Sequence, residues 1–110
     1  MAQPTAITAQ QLKELLEGPN PPRLIDVREA HELVGELGHI EGVEHIPLGT
    51  VPAHADKVRG ETRVIISICK MGGRATQAAQ FWAAQGLTVC VLQGGMTAWN
   101  AERLPTKKSR

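Results

Sequence analysis

A single stretch, residues 64–74, joins an apolar run to a basic loop that contains glycine, and it reads Val64-Ile65-Ile66-Ser67-Ile68-Cys69-Lys70-Met71-Gly72-Gly73-Arg74. The β-branched residues at its start predict a buried strand over 64–68. Apolar residues with helical spacing begin just beyond the glycine pair. The cysteine therefore lies where a strand ends and a helix begins.

Cys69 is expected to be a reactive thiol rather than a structural one. At the start of a helix it faces unpaired backbone N–H groups and the positive end of the helix dipole, and both favour the thiolate. Lys70 and Arg74 add full positive charges. Gly72 and Gly73 let the loop curl so that its amides point inward as an anion-binding nest. A buried structural cysteine is the alternative, but that role needs neither a cationic neighbour at each end nor a mobile turn, and a nucleophile must also be reached from solvent.

Strands and helices alternate along the whole chain. Thr8 and Gln11 form a capping box that starts the first helix, which ends at Gly18. Further helices are predicted over 29–34, 75–85 and 96–103, a less regular helical segment over 48–59, and strands over 23–27, 43–46, 64–68 and 87–92. This alternation predicts an α/β fold with a mostly parallel sheet covered on both faces. Ligands of such sheets bind beyond the carboxyl ends of the strands, where Cys69 lies.

Composition predicts one globular domain that binds neither nucleic acid nor a membrane. The 110 residues carry a formal net charge of +1, with acidic and basic residues interspersed. Two cysteines are too few for a disulfide framework, and the start of the chain lacks the features of a secretory leader, so we expect a cytoplasmic protein. The basic end, residues 107–110, is expected to be a solvated tail.

Several segments, in this order, resemble the rhodanese (thiosulfate sulfurtransferase) domain family. They are Leu24-Ile25-Asp26-Val27-Arg28-Glu29, then Gly38-His39-Ile40-Glu41-Gly42-Val43 with Ile46-Pro47-Leu48, the loop from Cys69 to Arg74, and Leu92-Gln93-Gly94-Gly95-Met96-Thr97-Ala98-Trp99. The resemblance implies a three-layer α/β/α sandwich around a five-stranded, mostly parallel sheet. It implies one such domain over residues 6–105, an N-terminal extension over 1–5 and a basic C-terminal tail over 106–110.

The resemblance also implies sulfurtransferase activity, with Cys69 as the nucleophile. Its thiolate would take the sulfane sulfur of an anionic donor such as thiosulfate and hold it as a persulfide for an acceptor, cyanide or a thiol. Lys70 and Arg74 would bind the anionic end of the donor, and the inward amides of residues 71–74, which include Met71, Gly72 and Gly73, would stabilise the transferred sulfur. Two cations at the loop favour dianionic thiosulfate over mercaptopyruvate. No cofactor or metal is implied.

Three further residues are expected to support the loop from beneath. The resemblance suggests that Asp26 and Arg28 form a hydrogen-bonded pair there and that Glu32 pairs with Arg28. A catalytic role for Asp26 is disfavoured because a carboxylate touching the cysteine would oppose its ionisation. Cys90 lies in an apolar run and is expected to be packed, and the four histidines form no metal-ligand pattern and are expected at the surface or in loops.

Two other functions would use the same loop. Phosphatases related to this fold cradle a tetrahedral phosphate in a loop one residue longer, whereas four residues separate Cys69 from Arg74. The shorter cradle favours a single sulfur atom. The other alternative is a sulfur carrier or relay module that accepts persulfide sulfur from a protein donor and hands it to another protein. An inactive regulatory copy of the fold is disfavoured because Cys69 is present.

Overall fold

The predicted alternation of strands and helices is confirmed in a computed structural model, which describes residues 4–109. The strands are β1 (Thr5–Ile7), β2 (Arg23–Asp26), β3 (Glu44–His45), β4 (Ile65–Ile68) and β5 (Val89–Leu92). The helices are α1 (Ala9–Glu17), α2 (Ala30–Leu33), α3 (Gly73–Ala84) and α4 (Gly95–Ala101). Met1, Ala2, Gln3 and Arg110 lie outside the described residues, so parts of the predicted N-terminal extension and basic tail do too.

The five strands form one parallel sheet in the order β1-β5-β4-β2-β3. Strand β4 is central, with Asp26 beside Ile68 on one side and Val89 beside Ile65 on the other. Because all strands run in one direction, their carboxyl ends meet at one edge, and the loop after β4 lies in the middle of that edge. The predicted fold class is confirmed.

Side chains of β4 alternate between the two faces of the sheet, and this alternation decides where Cys69 lies. Ile65 packs among residues of α3, whereas Ile66 and Ile68 pack among residues of α1 and α4. Ser67 faces the α3 side, where its hydroxyl donates to the carbonyl oxygen of Ala75 at 2.9 Å. Two residues further along, Cys69 falls on that same face and belongs to the core that α3 covers.

The first helix begins as its sequence predicts. The Gln11 amide donates to the Thr8 hydroxyl at 3.1 Å, and the Thr8 amide donates to the Gln11 side-chain oxygen at 2.9 Å. These reciprocal bonds satisfy two otherwise unpaired amides. The cap sets the helix so that Leu12 is fully buried against the sheet.

Three expectations differ from the structure. Strand β1 was not predicted from periodicity, because three residues are too few to show alternation; Thr5, placed in the extension, pairs with Cys90. The segment 48–59 holds 3-10 turns over Leu48–Thr50 and Pro52–Lys57, the latter kinked at His54, rather than one helix, since Pro52 has no N–H to continue a helical ladder. The tail expected to be solvated is docked at Lys107, whose amide and carbonyl both bond to the backbone of His39 at 2.8 Å.

The start of α4 holds the beginning of the loop after β4. The amide of Met96 donates to the carbonyl of Cys69 at 2.8 Å, and the amide of Thr97 donates to that of Lys70 at 3.0 Å. Gly95 lies directly beneath with a φ of +56°, and a Cβ built on it would stand 2.4 Å from the Cys69 oxygen. Only glycine permits this backbone-to-backbone approach.

Gly95→Ala should therefore destabilise the domain more than an ordinary glycine replacement. Gly86 is the matched control, because its φ is +88° and no heavy atom lies within 4 Å of the added Cβ. Urea unfolding should show a loss of about 1 to 2 kcal/mol for Gly86→Ala, from the left-handed backbone alone. For Gly95→Ala the loss should be about 1 to 3 kcal/mol larger, from the clash. Equal losses of unfolding free energy in the two variants would show that the close approach of Gly95 to the Cys69 carbonyl does not limit stability.

Candidate active site

Cys69 follows the last residue of β4, and its sulfur receives a hydrogen bond from the loop. The amide of Gly72 donates to Cys69 Sγ at 2.9 Å. Gly72 adopts a φ of +124°, a conformation that L side chains rarely adopt, and this turn directs its N–H back toward the sulfur. The expectation that loop amides point inward is met at Gly72.

The expectation that the thiol is open to solvent is wrong for this conformation. Cys69 is 1% exposed, because the loop curls over the sulfur and the side chain packs under α3. A surface cavity of about 420 Å³ lies beside the loop and is lined in part by Met71, Gly72, Gly73 and Thr76. Cys69 itself does not line this cavity.

Arg74 and Glu32 form a two-pronged ion pair next to the loop. Arg74 donates from Nη1 to Oε2 at 2.7 Å and from Nη2 to Oε1 at 2.9 Å. The Arg74 hydrogen bonds are the main reason that the pKa of Glu32 is lowered from 4.5 to about 2, and a bond from the Glu29 amide adds to the effect. The expected pairing of Glu32 with Arg28 is wrong in detail, since Arg28 reaches only the backbone oxygen of Glu32, at 3.3 Å.

The charge of Arg74 is thus largely committed within the protein. Hydrogen bonding to Glu32 is the first cause that raises the pKa of Arg74 above its ordinary value, and the negative charge of Glu32 adds to it. The basis for expecting two free cations at the loop is therefore wrong, because Arg74 is already paired with Glu32.

Asp26 and Arg28 form the predicted hydrogen-bonded pair, at the carboxyl end of β2. Both are essentially buried, with exposures of 0% and 1%. Arg28 Nε donates to Asp26 Oδ1 at 2.9 Å and Nη2 to Oδ2 at 2.8 Å. Arg28 Nη2 also reaches the carbonyl of Gly38 at 2.7 Å. Because each buried charge is paired, the cluster ties α2 and the loop after it to the edge of the sheet where Cys69 lies.

The other loop residues face outward. Met71 is 68% exposed, and Lys70 is exposed too. Within residues 4–109, the Lys70 side chain forms no hydrogen bond or ion pair. Lys70 is therefore the loop cation that can still meet an incoming anion.

Periodicity in the sequence missed the residues that anchor the loop from outside it. Gly95, Met96 and Thr97 hold its first two carbonyls, and the Ser67 hydroxyl fixes the first turn of α3. The glycine pair at 94–95 was the available signal, but a glycine pair indicates a turn and does not say which backbone approaches it. His39 and His45 fix loops, as expected, through contacts with the carbonyls of Leu33 and Arg28.

Between residues 4 and 109, no three His, Cys, Asp or Glu side chains come together as ligands for a metal ion. No helix in the same range is long and apolar enough to cross a membrane.

The sequence is similar to proteins that carry names connected with sulfur transfer. It is 31% identical over 99 residues to YtwF of Bacillus subtilis, named a putative sulfurtransferase, covering 90% of this chain and 93% of that one. It is 32% identical over 97 residues to YrkF of the same organism, named a putative sulfur carrier protein. That match covers 87% of this chain and 51% of YrkF, so the chain spans about half of that relative.

Solved structures and a family model agree with these relatives. A rhodanese-related protein from Thermoplasma volcanium superposes with a TM-score of 0.83 at 27% identity, covering 96% of this chain and 99% of that one. The model of the rhodanese-like domain matches residues 8–102, which include β2, β4, the cysteine loop and α4. The names of these two relatives refer to sulfur transfer in one case and to sulfur carriage in the other. The chain belongs to the rhodanese-like domain family.

Proposed function

We propose that this protein is a sulfurtransferase that moves a sulfane sulfur from an anionic donor to a thiophilic acceptor through a persulfide on Cys69. The observation that carries the proposal is the hydrogen bond from the Gly72 amide to the Cys69 sulfur. An amide aimed at sulfur stabilises negative charge on it. It would act on the thiolate before the transfer and on the terminal sulfur after it.

The proposed reaction has two balanced steps. The Cys69 thiolate attacks the outer sulfur of thiosulfate, so that a sulfur–sulfur bond forms at Cys69 while the donor's sulfur–sulfur bond breaks and its electron pair leaves with sulfite. The negative charge of the enzyme then lies on the terminal persulfide sulfur. Cyanide or a thiolate takes that sulfur in the second step, and the thiolate of Cys69 returns. The attacking group in this mechanism is the thiolate, so the step itself needs no general base.

The loop must shift for a donor to reach the sulfur, because Cys69 is 1% exposed. The surroundings of the loop glycines support this part of the proposal. No heavy atom lies within 4 Å of a Cβ built on either Gly72 or Gly73, so neither glycine has a packed neighbour on the side where its Cβ would lie. Lys70, which is exposed and unpaired, would meet the anion at the entrance.

A sulfur carrier is the second candidate, in which a protein persulfide loads Cys69 and a second protein unloads it. The likeness to YrkF, named a putative sulfur carrier protein, favours this reading. Faster loading from a protein persulfide than from thiosulfate would identify the carrier.

For either function, a reducing compartment, which we propose to be the cytoplasm, would keep Cys69 and Cys90 as the free thiols of the structure.

Cys69→Ser should abolish sulfur transfer, because a hydroxyl cannot hold the sulfane sulfur. Intact-mass measurement after incubation with thiosulfate should show a gain of about 32 Da in the wild type and none in the variant. Turnover with thiosulfate and cyanide should fall by at least about a thousandfold. Cys90→Ser, which changes the partly buried cysteine of β5, is the matched control and should keep both signals. Transfer that survives Cys69→Ser would contradict the proposal.

Gly72→Ala should weaken catalysis far more than Gly73→Ala. Both positions have open space for a Cβ, but only Gly72 combines a φ of +124° with an amide bound to the sulfur. Alanine at position 72 should turn that amide away and lower kcat/KM by about 10- to 100-fold, as for loss of one anion-stabilising donor. Gly73→Ala should stay within about threefold, since it moves no sulfur-bound donor. Equal effects of the two variants would show that the Gly72 amide does not take part in catalysis.

A further inference from the structure

We infer that Glu32 sets the charge of the donor that this site prefers, and that the preferred donor carries one negative charge rather than two. This inference rests on the proposed sulfur transfer, and it names the class of substrate that the same site takes. Glu32 does not touch the sulfur. It acts through Arg74, so it is a positioning residue.

The ion pair with Glu32 offsets the charge of Arg74 before any donor arrives. Both terminal nitrogens of Arg74 bond to Glu32, at 2.7 and 2.9 Å. Glu32 is itself held in place, because its Oε2 accepts the amide of Glu29 at 2.9 Å. The two side chains are 33% and 21% exposed, so the pair is partly withdrawn from water and its charges offset each other beside the loop.

The charge of a second arginine near the loop, Arg28, is also neutralised. Arg28 is 1% exposed and is neutralised by Asp26 through Nε and Nη2. Lys70 is left as the unpaired cation of the loop itself, and one ammonium group matches one negative charge. A dianion such as thiosulfate would bring a second charge for which the loop has no free partner.

Two small sulfur donors are similar in size but differ in charge, so a comparison of the two isolates the effect of charge. Thiosulfate carries two negative charges, whereas methanethiosulfonate carries one and replaces an oxygen by a methyl group of similar size. Each gives up its outer sulfur to the Cys69 thiolate, and the electron pair of the broken bond leaves with sulfite or with methanesulfinate. The quantity to measure is the ratio of kcat/KM for thiosulfate to that for methanethiosulfonate, because a general loss of folding or reactivity cancels in it.

Glu32→Gln keeps an oxygen for the Glu29 amide and for one Arg74 donor but removes the negative charge. The ratio should rise by about three- to tenfold, because the released charge of Arg74 attracts the dianion more than the monoanion. The rise should shrink in high salt, which screens exposed charges. Glu61→Gln is the matched control: Glu61 is likewise paired with arginine, here Arg23 and Arg63, and has a pKa lowered to about 2, but it lies at the opposite edge of the sheet. That variant should leave the ratio within about twofold.

Arg74→Met tests the inference in the opposite direction, through the same ratio of kcat/KM values. It leaves the Glu32 carboxylate uncompensated near the sulfur, so the ratio should fall by about threefold or more. An unchanged ratio in Glu32→Gln, or an equal rise in Glu61→Gln, would overturn the inference. If Glu32→Gln does not fold, a ratio that fails to fall in Arg74→Met overturns it. A wild type that forms no persulfide from either donor contradicts the proposed function, whereas persulfide with an unchanged ratio contradicts only the role of Glu32.

Discussion

The structure around the cysteine depends on a close approach between two stretches of backbone. The amides of Met96 and Thr97 hold the carbonyls of Cys69 and Lys70, and Gly95 makes room for that contact by having no Cβ. With its first two residues held in this way, the loop can turn at Gly72 and bring an amide back to the sulfur that begins it. The amides of α4 thus hold the start of the loop, and the turn at Gly72 places the amide that binds the sulfur.

Electrostatics near the cysteine follow from ion pairs that connect separate elements. The buried Asp26 and Arg28 pair holds α2 at the edge of the sheet through backbone contacts, and Glu32 of α2 reaches across to Arg74 of α3. Each pairing satisfies a charge that would be costly to leave alone in a partly buried place. As a result, Arg74 helps to hold the elements together, but its charge is neutralised by Glu32 and is not free to attract the donor.

Local signals in the sequence predicted the elements, and they failed where the outcome depended on distant residues. The β-branched run and the Thr8 cap specify their own neighbourhoods, and both were confirmed; of the loop glycines, Gly72 turns its amide toward the sulfur as expected. The family resemblance supplied the pair of Asp26 and Arg28. The partner of Glu32 could not be predicted, because Arg74 is 42 residues away and a nearer arginine was an equally good match by charge. Burial of Cys69 was missed for a similar reason: strand alternation says which face it takes, but not that the loop covers it.

In the proposed mechanism, the sulfur of Cys69 carries the transferred atom between two separate half-reactions. Release of sulfite from thiosulfate in the absence of any acceptor tests this most directly. The expected result is a single burst of about one equivalent of sulfite per chain, after which release stops until cyanide or a thiol is added. Sulfite release that requires the acceptor from the start, or a burst that persists when Cys69 has been replaced by serine, would contradict it.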